Sequence, residues 1–315
     1  MNSVVKRDSG RQGKMKNFWK RCRDSKFLLL FLLPAVIWYV IFCYTPMYGL
    51  VIAFKDYTIS EGILGSKWVG LKYFNKMFNS PDFLNVLRNT LVISGLKMIF
   101  VYTSGLALAL IFNEVRIKSL KSLYQDISTI PKFLSWVIIG SFMTQILSPS
   151  TGIVNAIIKL CGGEPIYFLA NPKWFVFTLI ISDMWQSAGW NAIIYTSAIA
   201  VIDVALYEAA VIDGASRWSR MWHITLPGII PVVIVMMIMN VGSILNAGFD
   251  QIFNLYNPAV YSVGDIIDTY VYRQGIGSLN YSYSTAVGLF KNVVGLILVM
   301  GCNKIAQKFQ QVGFW

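Results

Sequence analysis

The chain has 315 residues, 56% of them hydrophobic and 13% charged, with a mean hydropathy of +0.57. A soluble domain carries about 25% charged residues, so this composition excludes an ordinary soluble fold and indicates a polytopic membrane protein. The formal charge of +12 would suit nucleic acid, but the basic residues gather at the amino terminus and in short connections between apolar runs, which excludes that partner in favour of orientation in a bilayer.

Residues 1–26 are strongly basic, with Lys6, Arg7, Arg11, Lys14, Lys16, Lys20, Arg21, Arg23 and Lys26, and read as a cytoplasmic tail. Six apolar runs follow at about 27–54, 86–113, 125–147, 174–200, 228–255 and 284–305. Each is long enough to cross about 30 Å of hydrocarbon, which takes about 20 helical residues. Backbone groups in lipid must pair within their own segment, and the runs are too long and too uniformly apolar for barrel strands. The expected fold class is therefore an all-α integral membrane protein with six transmembrane helices. The first run exceeds the h-region of a signal peptide, about 7–15 residues, and no small-x-small cleavage pattern follows, so it reads as an uncleaved span. Pro34 and Pro46 within it predict kinks.

With the amino terminus inside, the inner side collects the nine basic residues of the tail, then Arg116, Lys118, Lys121, Arg217, Arg220, Lys304 and Lys308. The outer side holds Lys55, Lys67, Lys72, Lys76, Arg88, Lys159, Lys173 and Arg273. The asymmetry predicts both termini on the cytoplasmic side. Residues 66–78 mix aromatics with lysines in the manner of an interfacial helix, and the connections around 148–173 and 256–283 carry turn residues that present a polar outer surface suited to a soluble partner. Of the cysteines, Cys22 and Cys302 fall inside, Cys43 in the first span and Cys161 in an outer connection, which predicts no disulfide.

One inner connection is longer than the rest. Residues 201–227 contain Glu208-Ala209-Ala210, three residues, Gly214, nine residues, then Ile224-Thr225-Leu226-Pro227. The helix formers up to Asp213 predict a short helix, and Gly214 permits a redirection that a residue with a Cβ resists. Residues 215–223, with Arg217, predict a second short amphipathic piece, and Pro227 is expected to open the next span with its φ already fixed.

This segment resembles the EAA loop of the membrane subunits of ATP-binding-cassette importers, whose pattern is EAA, three residues, G, nine residues, I-x-LP. Glu208, Ala209, Ala210, Gly214, Ile224, Leu226 and Pro227 match it. Six spans, with the loop between the fourth and fifth, extend the likeness over nearly the whole chain. The stretches 48–57 and 248–258 are similar to the carbohydrate-importer branch, in particular its permeases for oligosaccharides and polysaccharides. The resemblance implies a type I importer permease fold in a bacterial cytoplasmic membrane. It implies a permease domain over 27–305, cytoplasmic tails at 1–26 and 306–315, and an ATPase-coupling role for Glu208 to Ala210, Asp213, Gly214, Arg217, Ile224, Leu226 and Pro227. It further implies a second homologous permease in a heterodimer, two ATPase copies and an extracytoplasmic sugar-binding protein.

Polar groups inside spans are costly and so mark function or helix packing. In the fourth run Asp183, Gln186 and Trp190 fall at i, i+3 and i+7. In the fifth, Asn240, Ser243, Asn246 (or Ala247), Asp250 and Asn254 repeat that spacing, with Gln251 beside them. Amides and carboxylates pair with sugar hydroxyls, and Trp190 or Tyr195 offers a stacking face, so these residues are the expected substrate pathway; knitting helices together is the competing role. Lys97 and Lys291, inside the second and sixth runs, need partners: Asp183, Asp250 or an acidic sugar.

No G-x-x-x-x-G-K-[ST] is present, so ATP and Mg are expected on partner ATPase subunits and no cofactor on this chain. The single histidine, His223, leaves no His cluster for a metal and no Ser-His or Cys-His pair for catalysis. A transport subunit is expected, not an enzyme. The alternative is an ion- or proton-coupled secondary transporter using Asp183, Asp250, Lys97 and Lys291; the absence of an evident inverted repeat weighs against it.

Overall fold

The computed structural model describes residues 25–242 and 244–310. Most of the basic tail, Cys22, Ser243 and both chain termini lie outside the described residues. Among the described residues the architecture is all-α, apart from a two-residue antiparallel pair that joins Lys55–Asp56 to Lys67–Trp68.

The first span covers Leu29–Phe54. It begins as the helix Lys26–Tyr39, widens into a π turn at Val40–Tyr44 and ends as a 3-10 helix, Tyr48–Phe54. Pro46 has no N–H to donate, and before it both Thr45 N and Thr45 Oγ1 donate to Val40 O, the hydroxyl at 2.8 Å. The side chains of 29–39 are exposed (Phe31 is 85% exposed), and the 3-10 end packs on the sixth span around Ala53, Met77 and Val287.

The second span, Pro81–Glu114, is capped by Ser80, whose hydroxyl accepts from Phe83 N, and Pro81 occupies the first turn where its missing N–H costs nothing. It packs most extensively on the fourth span, Pro172–Ile199. Where they cross, a Cβ on Gly105 would lie 2.5 Å from Asn191 Cβ. A small residue here lets two helices approach without a hydrophobic driving force between them. Gly189 does the same toward the third span, where an added Cβ would fall 2.0 Å from Ser128 O.

Two expected spans take a different form. The third, expected as one helix over 125–147, is instead Lys118–Thr129, a 3-10 turn Ile130–Phe133 and Trp136–Ile146, bent by 99°. Pro131 interrupts the helical hydrogen bonding, and Ser135 caps the new direction by accepting from Ile138 N. The fifth, expected over 228–255, starts earlier and breaks. It is continuous over Arg217–Val241, is no longer helical at 244–248 and resumes as Phe249–Leu255. The break holds Ala247 at φ +47° and Gly248 at φ +87°, left-handed geometry that no helix continues through. The sixth, Tyr281–Gln310, is longer at both ends than 284–305. Among the described residues, four helices are long and apolar enough to cross a membrane, and up to six if each of the two bent pairs is one span.

Candidate functional site

At the unwound part of the fifth span, a cavity of about 370 Å³ opens between the second, third, fourth and fifth spans. Its polar wall is made by Ser94, Lys97, Tyr102, Lys132, Asp183, Ser187, Asn191, Asn240 and Asn246. Lys97 organises it. The residue is buried, and its Nζ meets Asp183 Oδ2 at 3.0 Å, donates to Ala247 O at 2.9 Å and donates to Gln251 Oε1. Gln251 Nε2 in turn donates to Leu179 O (2.7 Å) and Ser182 Oγ (2.8 Å). One ammonium therefore ties three elements together and satisfies a carbonyl that the broken helix leaves without an intrahelical partner. On the other oxygen of Asp183, Ser187 donates at 3.1 Å, and Lys132 Nζ donates to Ser187 Oγ at 3.2 Å.

The expected pathway residues divide. Asp183, Asn240 and Asn246 line the cavity. Gln186 is buried with its Nε2 on Leu134 O at 3.2 Å, and Trp190 is 44% exposed, edge-on to Phe133; both face the bend of the third span. The cavity-facing row of the fourth span is thus Asp183, Ser187 and Asn191, at i, i+4 and i+8, and not the i, i+3, i+7 row. Tyr195 is fully buried among Ala109, Phe112 and Ile229 and offers no stacking face. Because the fifth span unwinds, its expected stripe separates. Gln251 turns into the core, Asp250 is exposed, and Asn254 lies where the third span's Gly140 admits it. Ser243 lies outside the described residues. Lys132, Ser187, Asn191 and Ser94 were not picked out by spacing. The i+4 periodicity from Asp183 carried part of that signal, but Lys132 joins the site only through the bend at Pro131. Lys291 pairs with Asp268 at 2.5 Å, a partner outside the two that the sequence offered.

A second polar region lies on the segment between the fourth and fifth spans. Asp203 caps the helix Val204–Ile212 by accepting from Ala205 N at 2.9 Å. No residue of this helix is buried, and Val204, Leu206, Val211 and Ile212 are 54–85% exposed. Glu208, Ala209 and Ala210 sit on it, Asp213 closes it, and Gly214 at φ +77° turns the chain, with Ala215 N donating to Ala210 O at 2.8 Å. Ser216 caps the next helix by accepting from Ser219 N. From Arg217 the chain is helical to Val241, so Pro227 does not open the fifth span but lies inside it. The π turn Met221–Thr225, closed by Leu226 N donating to Met221 O, carries the helix past a residue without an N–H. Ile224 and Leu226 are half-buried on this turn. Tyr207 and Thr225 share a hydrogen bond of 2.9 Å, and Arg217 faces Glu114 of the second span at 3.9 Å. The exposed helix is therefore fastened to the start of the fifth span through Tyr207, and the start of the fifth span in turn faces the end of the second through Arg217.

In the connection after the first span, Asp56 accepts from Tyr73 Oη (2.5 Å) and Lys72 Nζ (3.0 Å). These bonds hold its carboxyl below the usual range, while burial and the adjacent carboxylate push the Tyr73 phenol up to about 12. Among the described residues no group of His, Cys, Asp and Glu is arranged to hold a metal.

The family described as "Binding-protein-dependent transport system inner membrane component" matches residues 27–308. The chain is 44% identical over 303 residues to Protein LplB of Bacillus subtilis (strain 168), covering 96% of this chain and 95% of that protein. It is 45% identical over 302 residues to the polygalacturonan/rhamnogalacturonan transport system permease protein YteP of the same organism, covering 96% and 94%. Among solved structures, a chain of a bacterial ABC transporter involved in the import of the acidic polysaccharide alginate superposes with a TM-score of 0.87 at 39% identity, over 93% of this chain and 99% of that one. The chain belongs to the binding-protein-dependent transport system inner membrane component family, and its fold is that of an ABC-importer permease.

Proposed function

As a member of that family, we propose, this chain is the permease subunit that passes an oligosaccharide across a bacterial cytoplasmic membrane, driven by ATP hydrolysis on separate subunits. In this reading both termini and residues 201–227 face the cytoplasm. A second, homologous permease completes the path, two ATPase copies bind ATP and Mg, and an extracytoplasmic binding protein delivers the sugar. The relatives named for polygalacturonan, rhamnogalacturonan and alginate support carbohydrate as the cargo, and the solved complex with an alginate-loaded periplasmic protein supports a binding-protein partner.

The observation that carries the coupling part is the continuity of one helix between two features. At one end, the exposed apolar helix Val204–Ile212 offers a surface for another protein to grip. At the other, the 25-residue helix Arg217–Val241, joined to the exposed helix through the Gly214 turn and the Tyr207–Thr225 hydrogen bond, ends at the unwound segment that lines the cavity. A helix of that length spans about 37 Å at 1.5 Å per residue and transmits a push with little bending. Closure of an ATPase pair around Val204–Ile212 would tilt the fifth span and change the cavity's access from one side to the other. This is a shift between two packings of the same helices. The cavity supplies amides and hydroxyls of the kind that pair with sugar hydroxyls.

The test is to purify the chain gently with what stays bound, identify the partners by mass spectrometry and measure uptake into proteoliposomes. ATP-dependent uptake requiring a co-purified ATPase, a second permease and a binding protein is expected. Uptake by this chain alone, driven by an ion gradient and indifferent to ATP, would overturn the reading in favour of a secondary transporter.

A further inference from the structure

We infer that Lys132 recognises a carboxylate, so that the oligosaccharide this permease passes is an anionic one, such as a chain of uronic acid units. The inference rests on the reading of the cavity as the transport path. Three charged side chains stand on the cavity wall: Lys97, Asp183 and Lys132. Lys97 and Asp183 pair at 3.0 Å, and Lys97 is held further by Ala247 O and Gln251. That ammonium is consumed by the structure.

Lys132 is placed differently. Its Nζ donates to Ser187 Oγ at 3.2 Å, and among the described residues no carboxylate approaches it within 4.0 Å. Ser187 gives its own proton to Asp183 Oδ1. The one carboxylate of the cavity is therefore shared between a direct ion pair and a hydroxyl relay, and two ammoniums stand against it. The remaining polar wall, Ser94, Tyr102, Asn191, Asn240 and Asn246, is neutral. The cavity carries a net positive charge between apolar helices, where charge–charge interactions are stronger than in water. A cation is repelled there. A neutral sugar leaves the charge uncompensated, and a carboxylate on the sugar offsets it with a charge-assisted hydrogen bond.

The position of Lys132 also fits recognition better than packing. It lies in the 3-10 turn Ile130–Phe133 where the third span bends, next to the buried Pro131, so the backbone fixes its origin while the side chain stays exposed. Lys97, by contrast, comes from the middle of a straight helix and is buried.

The experiment is uptake by the complete complex in proteoliposomes, with trigalacturonate and its carboxyl-reduced, neutral trisaccharide as probes, for the native chain, Lys132→Gln and Lys132→Arg. The binding protein is the same throughout, so a change between variants belongs to this chain. Lys132→Gln should lower trigalacturonate uptake about tenfold or more, chiefly through the apparent KM, and leave neutral uptake within about twofold. Lys132→Arg should retain most acidic uptake. Equal loss on both sugars, or reduced recovery of the second permease with Lys132→Gln, would place the counter-charge on that partner and overturn the inference while leaving the importer reading intact. A native complex that carries only the neutral sugar would also overturn it. A complex that carries neither and shows no ATP-driven uptake of any sugar removes the importer reading, and this inference with it.

Discussion

Replacing Lys97 by Met keeps the stem that fills its site and removes the ammonium. Asp183, with a side chain 19% exposed, then loses its ion-pair partner at 3.0 Å, Ala247 O loses a donor at the break in the fifth span, and Gln251 loses one of its bonds. Breaking a buried pair from one side costs about 3–5 kcal/mol. Asp183 opens onto the cavity and keeps the Ser187 bond, so the lower end, about 3 kcal/mol, is expected. Lys97→Met with Asp183→Asn removes both charges and should recover at least half of that loss, since the uncompensated carboxylate and not the missing contact dominates it. Unfolding of the purified protein by denaturant or heat in a fixed detergent, for native, single and double variants, measures this. A Lys97→Met protein within about 1 kcal/mol of native, or a double variant no more stable than the single, would refute the assignment of Lys97 as the tie across the cavity.

Gly214→Val should abolish sugar uptake with insertion into the membrane preserved. No atom crowds a Cβ there, but φ +77° strains a β-branched residue, at about 1–2 kcal/mol, enough to turn Val204–Ile212 away from its direction; normal uptake would refute the lever. Gly189→Val places a Cβ 2.0 Å from backbone Ser128 O and should cost more than about 2 kcal/mol or prevent folding, read as lost expression of intact protein, whereas Gly288→Val, with nothing within 4 Å, should be tolerated. Asp56 titrates lower in the fold than free, because Tyr73 and Lys72 bond its charged form. Its contribution is therefore present above about pH 4 and lost as pH falls through the folded value. Tyr73 titrates near 12 in the fold, so its contribution is present below about pH 10 and lost as pH rises toward 12. Tyr73→Phe should flatten both limbs of a stability-against-pH profile, and unchanged limbs would refute the pairing.

Much of this protein is legible from composition and spacing alone. A chain in lipid has to pair its backbone within each segment, so long apolar runs dictate helices wherever they fall, and the second, fourth and sixth appear close to where the runs lie. The segment with Glu208, Gly214 and Pro227 is legible because its signals are local: helix formers, one glycine at φ +77°, and a proline near the start of an apolar run. What the sequence misplaced are the two broken spans and the cavity. Apolar character continues across Pro131 and across 242–248, and hydropathy does not register where a helix loses its hydrogen bonds. The fifth span breaks where Ala247 and Gly248 take left-handed φ and Lys97, 150 residues away in the chain, supplies the donor that Ala247 O would otherwise lack. Such a bond has no period and no motif. Helical periodicity puts Asp183 in line with both Gln186 and Ser187; only the packing of the fourth span on the second and third turns Ser187 and Asn191 to the cavity and Gln186 to Leu134. The existence and helical character of the spans thus follow from the solvent they must cross, while the choice of which polar groups meet each other is made by contacts between residues far apart in sequence.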